Sequence, residues 1–184
     1  EVKMCTSVEG DLEIELNEKI EVTFPHLQTV SGKLLTITEV KSIDLPGLVK
    51  CGSLSIQYSP NIQTISLPLL KETGYIHVRH NNSLLNISFP SLEKINKLDI
   101  FRNDMLSIVE MPQLHTIGER VCFSSTNRRL TKIEFPKLTK FPDDEFKPSE
   151  FAFDGPNIVS CPNLARPKDA EISKSCNCFR VNSK

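Results

Sequence analysis

Residues 87–100 read Ile-Ser-Phe-Pro-Ser-Leu-Glu-Lys-Ile-Asn-Lys-Leu-Asp-Ile. Apolar residues alternate with polar ones at both ends, as in a half-buried strand, yet Pro90 stands in the middle with no N–H to give to a sheet. The chain repeats the arrangement. Phe24-Pro25-His26-Leu27, Leu45-Pro46-Gly47-Leu48, Leu67-Pro68-Leu69-Leu70, Phe89-Pro90-Ser91-Leu92, Met111-Pro112-Gln113-Leu114 and Phe135-Pro136-Lys137-Leu138 share it, with successive prolines 21, 22, 22, 22 and 24 residues apart. A period of this size marks a solenoid, in which each repeat is one coil that buries its apolar side only by stacking on its neighbours. Proline then belongs at a corner of each coil, where its fixed φ helps and its missing donor does no harm.

An L-x-I pattern sets the inward side of one strand per coil: Leu12/Ile14, Leu35/Ile37, Leu54/Ile56, Ile76/Val78, Leu98/Ile100 and Val121/Phe123. Three places further on, Asn17, Val40, Ser59, Asn81, Asn103 and Thr126 form a mostly polar column suited to satisfying backbone groups at a turn. A second inward set follows at Ile20, Ile43, Ile62, Leu84, Leu106 and Leu130, then the proline corner, an aliphatic such as Val30, Ile95 or Ile117, and often a glycine (Gly32, Gly52, Gly74, Gly118) before the next strand. The expectation is a mainly β protein, a β-solenoid of about six 22-residue coils. A helical solenoid is excluded, since the prolines would break a helix in every repeat. From about Pro142 the period decays through Asp143-Asp144-Glu145-Phe146. Residues 1–164 are therefore read as the solenoid and 165–184 as a cysteine-bearing C-terminal cap that protects the last edge.

The 22 basic and 23 acidic residues nearly balance, giving no electrostatic footprint for nucleic acid. No apolar run is long enough to cross a bilayer, and because the chain opens on Glu1-Val2-Lys3, any export signal is expected to have been removed. Six cysteines (Cys5, Cys51, Cys122, Cys161, Cys176 and Cys178) and two glycosylation sequons, Asn81-Asn82-Ser83 and Asn86-Ile87-Ser88, suit an extracellular location, secreted or at the cell surface. Asn86 stands between Leu85 and Ile87 and should face out, whereas Asn81 lies in the polar turn column, facing backbone. Cys51 occupies the column of Val30, Ile95 and Ile117 and so fits the core; a bridge to Cys5 would need an irregular first coil. The tail cysteines are expected to hold the cap, with the pairing open.

Two outward columns remain: Glu13, Thr36, Ser55, His77, Asp99, Cys122 and, beside it, Glu15, Thr38, Gln57, Arg79, Phe101, Ser124. His77, Asp99 and Cys122 suggest a nucleophile and base, but histidine and cysteine would be two rungs, roughly 9.6 Å, apart, beyond the reach of proton transfer. His77 and His80 point differently from a strand end and lack a third metal ligand. The carboxylate pairs Glu13/Glu15 and Asp143/Asp144 have no partners placed for glycoside hydrolysis. Catalysis, cofactor and metal are thus not expected. Tyr75, His77, Arg79, Asp99 and Phe101, with Tyr58 nearby, have instead the composition of a protein-binding hot spot.

The opening Cys5-Thr6-Ser7-Val8-Glu9-Gly10-Asp11-Leu12-Glu13-Ile14 resembles the start of the L domains of the insulin and epidermal growth factor receptors. The P-x-L-x-x-I-x-G-x-L-x-I rhythm over about residues 5–141 is similar to the same family and to related fungal cell-surface proteins. The resemblance implies a right-handed, leucine-rich-repeat-like β-solenoid that binds a protein or peptide outside the cell without catalysis. The chain departs from the family in lacking a helical cap before Cys5 and a cysteine-rich module or kinase after the repeats, so a free-standing L domain is expected. The alternative is a structural glycoprotein of a cell wall or extracellular matrix.

Overall fold

The computed structural model describes residues 4–16, 20–36, 39–123, 127–139, 151–153 and 158–160. The chain is mainly β, with no α-helix among the described residues. It enters through β1 (Ser7–Val8), β2 (Leu12–Ile14) and β3 (Glu21–Thr23). Eight-residue strands then alternate with three-residue ones: β4 (Thr29–Thr36), β5 (Ser42–Asp44), β6 (Lys50–Gln57), β7 (Thr64–Ser66), β8 (Glu72–Arg79), β9 (Asn86–Ser88), β10 (Lys94–Phe101), β11 (Ile108–Glu110), β12 (Thr116–Phe123) and β13 (Lys132–Glu134). The strands β14 (Phe151–Phe153) and β15 (Ile158–Ser160) follow. Long strands pair in parallel in the order β1-β4-β6-β8-β10-β12-β14, with β2 also on β4. The result is a parallel β-solenoid of about five turns.

Two β-turns per coil join the long and short strands, and the sequence explains both. At each proline corner the leucine N–H donates to the carbonyl of the residue before proline, as from Leu92 to Phe89 at 3.2 Å and from Leu138 to Phe135 at 3.1 Å. Proline thus takes the second position of a four-residue turn, where its φ is already correct. The ladder reaches the residue just before it, since Phe89 N donates to Glu110 O. The chain turns at the first residue that has nothing to donate.

The second turn begins on the polar column. Ile62 N donates to Ser59 O, Leu84 N to Asn81 O, Leu106 N to Asn103 O and Leu130 N to Asn127 O. The side chains of this column also stitch coil to coil. Asn81 Nδ2 donates to Ile56 O at 2.9 Å while its Oδ1 accepts from Ser59 N at 3.2 Å. Asn103 repeats this with Val78 O and Asn81 N, and Asn127 with Ile100 O and Asn103 N. Backbone groups that face the core at a corner are in this way paired away from water, which matters because an unpaired buried one costs about 1–3 kcal/mol.

Inside the coils the apolar columns close over one another. Ile56, Val78, Leu98, Ile100 and Val121 are sealed, as are the proline-corner residues Leu67, Phe89, Met111 and Phe135.

The first coils depart from the expected register. Leu12 pairs with Leu34 and Ile14 with Thr36, so Leu34 and Thr36 face inward and Leu35 joins the outward column in place of Thr36. The pairing is fixed by a polar clasp: Lys33 N donates to Asp11 Oδ1 at 2.7 Å and Gly10 N to Ser31 Oγ at 2.8 Å, with Gly10 at φ +96°. Thr36 Oγ1 is consequently buried without a hydrogen-bond partner. Ile43 pairs with Val22 and Ile65, and Gln63 N donates to Lys41 O, so Val40 sits level with Ile62 in the core rather than in the polar column. Ile20 precedes this set and is 40% exposed.

Two further corrections concern later coils. The last member of the polar column is Asn127, one place beyond Thr126, because the chain from Phe123 is a residue longer than in the coils before it. Glycines lie within the long strands rather than before them. A Cβ on Gly52 would sit 2.5 Å from Ser31 O, so the backbones approach too closely there for any side chain. The register slips beside Gly32 and Gly118, between Val30 and Lys33 against β6 and opposite Ile95 and Lys97 in β12. The expected positions Asn17, Ile37, Thr38, Ser124, Thr126, Asp143 and Asp144, and the cap with Cys161, Cys176 and Cys178, lie outside the described residues.

The two sides of the solenoid differ. Long strands form one continuous sheet, but short strands form two, β3-β5-β7 and β9-β11-β13-β15, with no ladder between β7 and β9. Ile65 on β7 is 7% exposed where Ile87 on β9 is fully covered.

Candidate functional site

The outward side of the long-strand sheet gathers the residues expected to bind. Parallel pairing sets Tyr75 beside Lys97, His77 beside Asp99 and Arg79 beside Phe101, while β6 contributes Ser55 next to His77 and Gln57 next to Arg79. Tyr75, His77, Arg79, Asp99 and Phe101 therefore occupy two adjacent strands. Tyr75, His77 and Arg79 alternate along β8, which turns all three side chains to one face.

Contacts within the patch fix its geometry. The Tyr75 and His77 rings stack at 5.4 Å between centroids, and Phe101 meets His77 edge-on at 6.4 Å. Gln57 Oε1 accepts from Arg79 Nε at 2.6 Å, and Gln57 Nε2 donates to Ser55 Oγ and lies 3.4 Å from His77 Nδ1. The Arg79 guanidinium lies over the Tyr58 ring, 5.1 Å from its centroid, and Tyr58 stacks on His80 at 4.7 Å. Rings and a guanidinium held this way keep few rotamers to lose on binding.

Asp99 plays a different part from the one expected of a contact residue. It exposes only 2% of its surface, and its carboxylate accepts from the Tyr75 hydroxyl. It positions Tyr75 instead of meeting a partner. Tyr75, His77, Arg79 and Phe101 are partly exposed, and Tyr58 at the border is 50% exposed.

Sequence reasoning placed Gln57 and Tyr58 near the site but did not give Gln57 its clamping role or Tyr58 its stack with His80. The column Tyr58–His80–Arg102 is visible as a repeat spacing; its backbone is not. All three residues adopt positive φ, at 51°, 56° and 51°. This left-handed corner is ordinarily taken by glycine or asparagine. Burial lowers the His80 pKa from the ordinary imidazole value, and the charges of Arg102 and Arg79 lower it further.

The cysteines divide as their columns suggest. Cys51 is buried, with its Sγ donating to Thr73 Oγ1 at 3.4 Å on the next coil. Burial raises its thiol pKa, with the Thr73 hydrogen bond pulling the other way. Cys5 is exposed, and no disulfide joins these two. His77, Asp99 and Cys122 fall on three successive strands, in the order that keeps histidine and cysteine two rungs apart. An open concavity of about 330 Å³ lies at the first proline corner between Met4, Pro25, His26 and Gly47, and no carboxylate of the described residues lines it. Among the described residues no helix is long and apolar enough to cross a membrane.

Asn86 and Asn81 separate as well. Asn86 is exposed at the start of β9, while Asn81 is fully covered, with its amide engaged at both ends. The sequon at Asn81 is thus closed in the folded chain.

No family model, curated protein or solved structure matches the chain.

Proposed function

We propose that the chain is an extracellular, non-enzymatic recognition module of receptor L-domain type that binds a protein or peptide through the outer face of its long-strand sheet. The reading is carried by the prearranged cluster of Tyr75, His77, Arg79 and Phe101 on β8 and β10, braced by Gln57 and Asp99. Aromatic rings and arginine supply most of the energy at protein interfaces, and they do so best when already ordered. The repeat register, with its opening Cys5 and its Gly10-Asp11-Leu12-Glu13-Ile14 strand entry, supports the L-domain assignment and its right-handed winding. Six cysteines and the surface sequon at Asn86 support a secreted or cell-surface location.

The test is a binding screen of the intact chain against extracellular proteins, followed by Arg79→Glu combined with Phe101→Ala. Because both side chains lie on the outer face, the double variant should keep its circular dichroism spectrum and lose binding by at least about tenfold. Unchanged affinity in a folded double variant would refute the assignment of this face.

A further inference from the structure

We propose that Asn86 is the chain's N-glycan acceptor, that Asn81 is not, and that the glycan stands on the short-strand side of the solenoid, opposite the recognition face. The inference rests on the extracellular placement argued above and adds to it a modification site and its direction.

The chain holds two sequons only five residues apart, and they have opposite environments. In β9 the alternation turns Ile87 into the core and both Asn86 and Ser88 outward, so the acceptor amide and the sequon hydroxyl share one open face. The Asn86 side chain meets only a surface hydroxyl, with Ser107 Oγ 3.1 Å from its Oδ1. Leu85 beside it is 46% exposed, an apolar surface that a bulky saccharide would cover.

Asn81 exposes nothing. Its Nδ2, the atom that would carry the sugar, donates to Ile56 O at 2.9 Å in the middle of the asparagine ladder. In the transfer, the anomeric carbon–oxygen bond of a lipid-linked pyrophosphoryl oligosaccharide breaks and a carbon–Nδ2 bond forms. The amide gives up one proton and the lipid pyrophosphate leaves. At Asn86 this costs the fold nothing. At Asn81, even if transfer preceded folding, the amide would keep a single N–H and the sugar on the same nitrogen could not fit between coils, so chains carrying it would not reach the folded state.

The position on the solenoid sharpens the consequence. β9 is the border strand of its short-strand sheet, facing the gap where the ladder to β7 is missing. The Asn86 side chain points outward from this sheet and leans, through Ser107, toward the coil of β11 rather than toward the gap. Tyr75, His77, Arg79 and Phe101, on the other sheet, stay clear of a glycan there.

The experiment is secretion of the full chain from a eukaryotic host, with glycopeptide mass spectrometry on the folded, monodisperse fraction. A glycan should be found at Asn86 and none at Asn81. Asn86→Gln and Ser88→Ala should each abolish it and leave a folded protein, and Ser88→Thr should restore it. A folded chain bare at Asn86, or glycosylated at Asn81, would overturn the proposal. Partner binding in Asn86→Gln should match the glycosylated protein within about twofold; a larger loss would refute the placement away from the face. Failure of the recognition reading is registered separately, by the Arg79 and Phe101 variant.

Discussion

The coils from Ser59 onward and the coils before it are built from the same motif but keep time differently. From Asn81 to Asn127, each asparagine side chain at the corner reaches the backbone of the coil before it, and the spacing from long to short strand is constant over three coils. Ile56 to Ile65, Val78 to Ile87 and Ile100 to Val109 are each nine residues, by subtraction. In the earlier coil Thr36 to Ile43 is seven, and the position level with Ile62 is filled by Val40. The coil of Asn127 takes its extra residue between Phe123 and the corner, and the six residues from Asn127 to Ile133 match the six from Asn103 to Val109 and from Asn81 to Ile87, by subtraction. The polar corner keeps its distance to the short strand while the segment before it varies in length.

Substitutions at equivalent places in the two regions can break that contrast. The largest effect is expected at the proline corner. Phe89 is fully covered and Phe24 only partly so, and Phe89→Ala should cost about 4 kcal/mol in urea denaturation against about 1 kcal/mol for Phe24→Ala. Equal losses would mean the first coil is packed as tightly as the fourth. Next comes the ladder itself. Asn103→Ala strips partners from Asn81 N and Val78 O and should cost about 3 kcal/mol, while Ser59→Ala, which removes the 3.2 Å bond to Gln57 O and leaves the coil-to-coil bonds of Asn81 in place, should cost about 1 kcal/mol.

Smaller effects sharpen the comparison. Thr36→Val keeps the shape and removes a buried hydroxyl without a partner, so it should stabilise the chain by about 1 kcal/mol, seen as a rise in Tm. The smallest effect is a pH slope. His80 has a pKa lowered by burial, Arg102 and Arg79, so the unfolded chain takes up the proton first, near pH 6.5. Its contribution to stability is complete above about pH 6.5 and is lost as pH falls through that value towards the lower folded pKa. His80→Asn, which also suits the positive φ, should flatten stability between about pH 7 and pH 5.

Much of this fold can be read from the chain because each feature recurs once per coil. The prolines declare the corners, the Ile56, Val78 and Ile100 columns declare the core, and Asn81 and Asn103 declare the ladder. Leu35-Thr36-Ile37 misleads for a physical reason: it fits the inward pattern better than Leu34-Leu35-Thr36, and the latter is selected by contacts the period does not carry, the clasp of Gly10 and Asp11 on Ser31 and Lys33. The candidate face is legible as arithmetic on outward positions. Its bracing is not, because nothing in the period says that Asp99 will be sealed by Tyr75, or that Gln57 will hold Arg79. The left-handed corners at Tyr58, His80 and Arg102 are hidden for a similar reason, since no glycine announces them.

The parallel ladders have one more consequence, which is mechanical. Every bond between coils lies along the stacking axis, so a force pulling the two ends of the solenoid apart loads the outermost coil alone before the next. The molecule would pay out like a chain leaving a locker, each released coil adding roughly 70 Å of extended length at a low, repeating force. A load applied along the strands would instead have to shear all rungs of the long sheet together.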